Sequence, residues 1–102
     1  MKVIWSNRAV KSLHTLENYI LQRFGEIKRQ QFMSDVEQEA KRLETFPNLG
    51  KPEPLLAHRR KAYCSWVVTK KTKLIYYVSG QQLVIANIWD VRQEPKTVAK
   101  GL

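Results

Sequence analysis

The sequence predicts an α+β fold of two layers, with the element order β-α-α-β-β-β and a helical hairpin packed on one face of an antiparallel sheet. Three observations carry this expectation. Apolar residues recur at steps of three and four over the first half of the chain and at steps of two over the second. A stretch marked by Pro47, Gly50, Pro52 and Pro54 separates the two patterns.

Each element follows from its residues. Lys2 to Trp5 is a short β-prone run, and Ser6 supplies a side-chain oxygen to cap a helix running to about Phe24. Ala9, Leu13, Leu16, Ile20 and Phe24 form its inward stripe. Gly25 ends it, because glycine enters left-handed backbone without a Cβ clash. A second helix spans about Glu26 to Phe46, with Phe32, Val36, Ala40 and Leu43 at helical spacing, and the pair forms an antiparallel hairpin. Residues 47 to 58 are a connector, extended or turning. Ala62, Cys64, Trp66 and Val68 then alternate with Lys61, Tyr63, Ser65 and Val67, as in a half-buried strand. A polar turn over Lys70 to Lys73 leads to the run Leu74 to Val78. The tetrapeptide Ser79-Gly80-Gln81-Gln82 closes a hairpin with the last strand, Leu83 to Trp89. That strand is apolar on both faces, which places it inside the sheet. The expected core is Leu13, Leu16, Ile20, Phe32, Val36, Leu43, Trp66, Leu74, Tyr76 and Ile85.

A chain of 102 residues suits one core and one domain, spanning 1–102. Apolar content of 43% and charged content of 26% exclude disordered, collagenous and disulfide-scaffold classes. The short apolar runs predict no membrane span and no signal peptide. The lone Cys64 fits a reducing cytoplasm, and no Cys/His spacing suggests a metal; no cofactor is expected. Eighteen basic residues against nine acidic ones give a net charge of +9. Residues 1–50 hold eight basic and six acidic side chains, whereas residues 51–102 hold ten and three. The second half is therefore electropositive and suits a polyanion or an acidic protein partner.

Strand parity sets Arg59, Lys61 and Tyr63 on the sheet face away from the helices, joined there by Lys73, Ile75 and Tyr77. The arrangement predicts a basic concave surface with aromatic side chains, suited to a phosphate chain and a stacked base; the other reading is a solvated sheet face. Arg92 either grips a phosphate or pairs with Asp90 or Glu94. His58 is either a spare imidazole or a surface residue. Cys64 reads as a buried, inert thiol, and Trp5, Trp66 and Trp89 as packing residues unless one emerges on the basic face.

Tyr19-Ile20 before Phe24-Gly25, Leu43 with Phe46-Pro47 and Gly50, and Leu74-Ile75-Tyr76-Tyr77-Val78, in this order, resemble the RelE/ParE superfamily of toxins from bacterial type II toxin-antitoxin modules. The resemblance implies a growth-inhibiting toxin. Some relatives cleave mRNA on the ribosome, a metal-independent reaction that needs a base, an acid and cations for the phosphorane charge. Others inhibit DNA gyrase and need no catalytic set. In an endoribonuclease of this kind Arg59, Arg60, Lys73, Arg92 and Tyr77 are the catalytic candidates, with Lys61, Tyr63, Lys71, Asp90 and Lys96 binding substrate. The family's last strand commonly ends in "V.H.R..P"; here Ile88, Asp90, Arg92 and Pro95 stand in those places, so aspartate replaces the histidine. The resemblance also implies a cognate antitoxin, acidic and partly disordered, with the ribosome and mRNA or DNA gyrase as target and no membrane involvement. The alternative on the same fold is a non-toxic nucleic-acid or protein binding module.

Overall fold

Ser6 sets the first turn of the molecule. Its Oγ accepts the Ala9 backbone N–H at 3.0 Å and donates to the Ala86 carbonyl at 2.9 Å, so one hydroxyl caps a helix and anchors it to the sheet. A computed structural model describes residues 1–91, as β1 (Lys2–Trp5), α1 (Asn7–Phe24), α2 (Glu26–Thr45), β2 (Lys51–Pro52), a 3-10 turn (Pro54–Leu56), β3 (Cys64–Thr69), β4 (Thr72–Ser79) and β5 (Gln82–Asp90). Gly25 joins the helices at φ 92° and ψ 177°, a conformation essentially restricted to glycine. Arg29 on α2 holds the hairpin closed by pairing with Glu17 of α1 at 2.6 Å.

The sheet order is β1-β5-β4-β3-β2, with β5 inside it as its two apolar faces require. The sheet is mixed rather than antiparallel: β1 runs parallel to β5, with Lys2 beside Gln82 and Trp5 beside Ile85. A period of two is the same for both strand directions, so the local pattern holds no information on this point. The connector adds the two-residue β2, which pairs with β3 at Lys51–Ser65 and Pro52–Cys64.

Both helices cover one face of the sheet. Ala9, Leu16, Phe32, Val36, Ala40 and Leu43 pack there on Leu74, Tyr76, Leu83, Ile85 and Ile88, with Leu13, Ile20, Cys64, Trp66 and Val68 partly buried around them. The expected core is thus in place. Tyr76 is fully buried, and its hydroxyl donates to the Pro47 carbonyl and accepts the Gly50 N–H, each at 2.8 Å. A Cβ at Gly50 would collide with the Tyr76 hydroxyl and ring edge, which is why this place in the connector is glycine.

The other face is neither the open basic surface nor the solvated sheet face that the sequence offered as its two readings. Leu56, Tyr63, Ile75, Ala86 and Trp89 form a second buried cluster, with Tyr77 half-buried against it. Leu56 comes from the 3-10 turn, so the connector folds over this face. The irregularity in β4–β5 pairing at Ile75/Tyr76 helps: Ile75 lies opposite Asn87 and Tyr76 opposite Ile85, so Ala86 joins the second cluster while Ile85 and Ile88 both face the helices.

Candidate functional site: the covered face of the sheet and its rim

Glu53 begins the site. It precedes the 3-10 turn and caps it, accepting the Leu55 N–H at Oε2 at 3.0 Å, while its own N–H donates to the Tyr63 carbonyl at 2.9 Å. The residue is 2% exposed, and its Oε1 is paired with the Lys73 ammonium. A buried carboxylate needs a cation of this kind. Lys73 lies inside β4 rather than in a turn, opposite Trp89 in register, with Nζ 5.4 Å from the Trp89 ring centroid. The Trp89 ring is buried, and its Nε1 finds no hydrogen-bond partner among the described residues.

At the edge of this cluster stand two tyrosines and a lysine. The rings of Tyr63 and Tyr77 meet edge to face, with centroids 5.6 Å apart and planes at 89°. Lys61 lies over Tyr77, its Nζ 4.5 Å from the ring centroid, and donates to the Tyr77 hydroxyl at 3.2 Å. That hydrogen bond, with the attraction of the phenol oxygen, raises the Lys61 pKa above the usual lysine value. Lys61 is therefore a fixed cation rather than a proton donor near neutrality.

The ten candidates do not assemble as one surface. Lys61, Tyr63, Lys73 and Tyr77 share the covered face, but Tyr63 is 8% exposed and Lys73 is neutralised by Glu53. Arg59 and Arg60 do not lie in strand register, because β3 begins only at Cys64; they are exposed in the bend that precedes it. His58 is exposed in the same segment. Asp90 is 4% exposed and opposite Thr72, and the alternation from Ile88 and Trp89 turns it to the helix side. Lys71 is in the β3–β4 turn, its carbonyl accepting the Val91 N–H at 2.7 Å. Arg92 and Lys96 lie outside the described residues. Cys64 is half-buried, and burial raises its pKa, in keeping with an inert thiol. Among the described residues, no group of His, Cys, Asp and Glu side chains is arranged to hold a metal, and no helix is long and apolar enough to cross a membrane.

Sequence reasoning missed Glu53. Its signal was present but faint: a carboxylate before a proline in a basic half of the chain, placed to cap a turn.

A second feature lies at the far edge of the sheet. Val3 and Trp5 of β1, Val10 and Leu13 of α1, and Val36 and Ala40 of α2 line an apolar groove of about 550 Å³. β1 is an edge strand, so its outer side offers backbone groups for a further strand.

The comparisons with known proteins agree with this architecture. By structure the chain is similar to a chain of the chromosomal ParDE toxin-antitoxin system of P. aeruginosa, with a TM-score of 0.74 and 18% identity over 89% of this chain and 96% of that one. It is similar to a YoeB/ParE toxin from Agrobacterium tumefaciens, with a TM-score of 0.61 and 23% identity over 88% and 98%. A third likeness is to YoeB from Staphylococcus aureus, solved as a dimer, with a TM-score of 0.59 and 20% identity over 87% and 94%. A search of curated proteins by sequence gives no match. The model of the ParE toxin of the type II toxin-antitoxin system parDE matches residues 3–95, nearly the whole chain, and this protein therefore belongs to the ParE toxin family.

Proposed function

We propose that this toxin acts without chemistry of its own, by docking on a large protein target of the DNA gyrase kind through the exposed rim of the covered face. One observation carries the reading. Lys73, the most central of the candidate cations, is held by the buried Glu53, and the surface around it is closed by Leu56, Tyr63 and Trp89. Ribonuclease chemistry needs an open site in which an acid, a base and a cation reach one phosphate. The rim offers exposed cations instead: Arg59, Arg60 and Lys61, with Tyr77 beside them. Arg92 and Lys96 join this docking set by sequence alone.

Purified protein in a gyrase supercoiling assay tests the reading. Inhibition is expected, and it should disappear when Arg59, Arg60 and Lys61 are all replaced by alanine in a chain that remains folded. New mRNA 5′ ends in a translation reaction with intact supercoiling would instead assign ribosome-dependent cleavage. Unimpaired growth on induced expression would leave a binding module.

Membership of the family implies a cognate antitoxin. The β1 groove is the proposed seat for its apolar anchors. A segment with apolar side chains at every second position would extend the sheet at β1 and fill the groove beside Val3 and Trp5. The basic rim would attract its carboxylates. Association should therefore slow as salt rises, because steering is screened within about 8 Å at physiological ionic strength. A rate that stays flat from low to high salt would show that the basic half is not read.

A further inference from the structure

The side of α1 that looks away from α2 takes no part in the docking rim or the β1 groove. At 3.6 residues per turn, Arg8, Lys11, Ser12, Thr15, Gln22 and Arg23 fall within one arc of about 120°. Ser12 is half-buried and the other five are exposed. Glu17, the one carboxylate of α1, stands on the opposite side, where it pairs with Arg29 of α2 at 2.6 Å. The neighbouring helix is different in kind: α2 carries five carboxylates between Glu26 and Glu44.

The first turns of α1 hold a hollow of about 180 Å³, lined by Arg8, Lys11, Ser12, Thr15 and the buried Leu16. Among the described residues no carboxylate lines it, and neither of its cations forms an ion pair. The Thr15 hydroxyl is committed, since it donates to the Lys11 carbonyl at 3.1 Å. The Ser12 hydroxyl has no hydrogen bond among the described residues and is left to serve a ligand. Farther along the same arc the Arg23 guanidinium lies 5.7 Å from the centroid of the Tyr19 ring, which holds it in place. Arg8 and Arg23 are about 22 Å apart along the helix axis.

We infer that this side of α1 lies along the phosphate backbone of a nucleic-acid duplex, with one phosphate seated in the hollow between Arg8 and Lys11 and another at Arg23. Unpaired cations beside a free hydroxyl are what phosphate oxygens need. An acidic protein segment fits less well, because it draws its affinity from apolar anchors and the arc presents no exposed apolar side chain. A single strand needs aromatic faces for its bases. Tyr19, the aromatic residue of the arc, is half-buried, edge-on to Phe24 and covered by Arg23. A duplex asks only for cations and neutral donors spaced along a line, and about 22 Å corresponds to roughly six base pairs. The inference does not rest on the docking rim or on its target.

Fluorescence anisotropy of a short labelled DNA duplex with the full chain, over a series of salt concentrations, tests it. In the triple variant Arg8→Gln, Lys11→Gln, Arg23→Gln, affinity at low salt should fall about tenfold or more, and the slope of log affinity against log salt should flatten by about 2 to 3. Ser12→Ala should weaken binding about threefold with the slope unchanged, because a neutral donor releases no counterion. A duplex of unrelated sequence should bind equally. Unchanged urea midpoints verify that these surface variants fold. The Arg59→Ala, Arg60→Ala, Lys61→Ala chain should keep its duplex affinity, so that failure of the rim reading and failure of this one are told apart. The inference is overturned if the α1 triple variant binds with unchanged affinity and slope, if Ser12→Ala binds as the parent does, or if the rim variant loses the duplex instead. It is also overturned if a single strand binds as tightly as the duplex, or if polyglutamate displaces the labelled duplex as readily as unlabelled duplex does.

Discussion

The two faces of the sheet are built on different principles. The helix face is a broad cluster supplied by two amphipathic helices and filled by aliphatic side chains with two central aromatics, Phe32 and Tyr76. The opposite face is small, aromatic-rich and covered by an irregular connector held by an ion pair and a few hydrogen bonds. Regular elements bring many apolar neighbours to each position, whereas a connector brings one or two anchors. The first face therefore sets stability, and the second sets which polar groups reach the rim. Leu74 and Ile75 sharpen the contrast, since they are adjacent in β4, both fully buried, and point to opposite faces.

The largest effect is expected there. Leu74→Ala should destabilise by about 4 kcal/mol, towards the upper end for such truncations, because the helix face cannot collapse around the void. Ile75→Ala should cost about 2 to 3 kcal/mol, since the connector can settle inward. Urea unfolding of the two variants measures the difference, and equal values would break the distinction.

The connector's two attachments come next. Tyr76→Phe removes both hydroxyl bonds to Pro47 and Gly50 and should cost about 1 to 3 kcal/mol, with the Gly50 N–H left unpaired. Glu53→Gln should cost about 2 kcal/mol. That is less than for a fully buried pair, because the Lys73 side chain is 31% exposed. The second variant also releases Lys73 from its partner. If this restores an open basic face, oligoribonucleotide binding should rise even as the unfolding midpoint falls, which fluorescence anisotropy would read.

The tryptophans provide a finer comparison. Trp66 Nε1 donates to Glu39 at 2.9 Å, whereas Trp89 Nε1 is buried without a partner among the described residues. Both change to phenylalanine with the same loss of volume. Trp66→Phe should lose about 1 kcal/mol more than its packing alone, and Trp89→Phe should recover a similar amount, because an unsatisfied donor is removed. A larger total loss at Trp66 than at Trp89, despite the deeper burial of Trp89, is the outcome that supports this account.

The smallest effect is at the rim. Tyr77→Phe should lower the Lys61 pKa towards the ordinary lysine value, as followed by NMR of its side chain. A raised lysine pKa contributes stability that is complete below the unfolded value and is lost as pH rises through the folded one. The variant should thus be slightly less stable than the parent at neutral pH, and the difference should shrink as pH rises through the alkaline range. A difference that stays constant into the alkaline range would mean that Tyr77 has another structural role.

Much of the helix face is legible in the amino-acid sequence. Ser6, Gly25 and the stripes on both helices are local signals, because a helix or strand period reports which residues share a face within one segment. The hairpin at Gly80 and the interior place of β5 are legible for the same reason. The candidate site is legible only as a set of basic and aromatic residues. Its division is not: Lys73 bound to Glu53, Asp90 turned to the helices, Lys71 in the β3–β4 turn, and Arg59 and Arg60 outside strand register.

The sequence by itself determined the α+β class, the helical hairpin, the core positions on the helix face, the excess of positive charge and the family pattern. The tertiary structure decided that β1 runs parallel to β5, that the connector covers the second face, and that Glu53 and Lys73 meet there. The reason is the range over which each property is specified. Periodicity, capping and net charge are written within a few residues of one another, but strand direction and the partner of a charge depend on residues brought together from far apart in the chain. Glu53 and Lys73 are twenty positions apart and Lys2 and Gln82 are eighty, and no local pattern encodes either pairing.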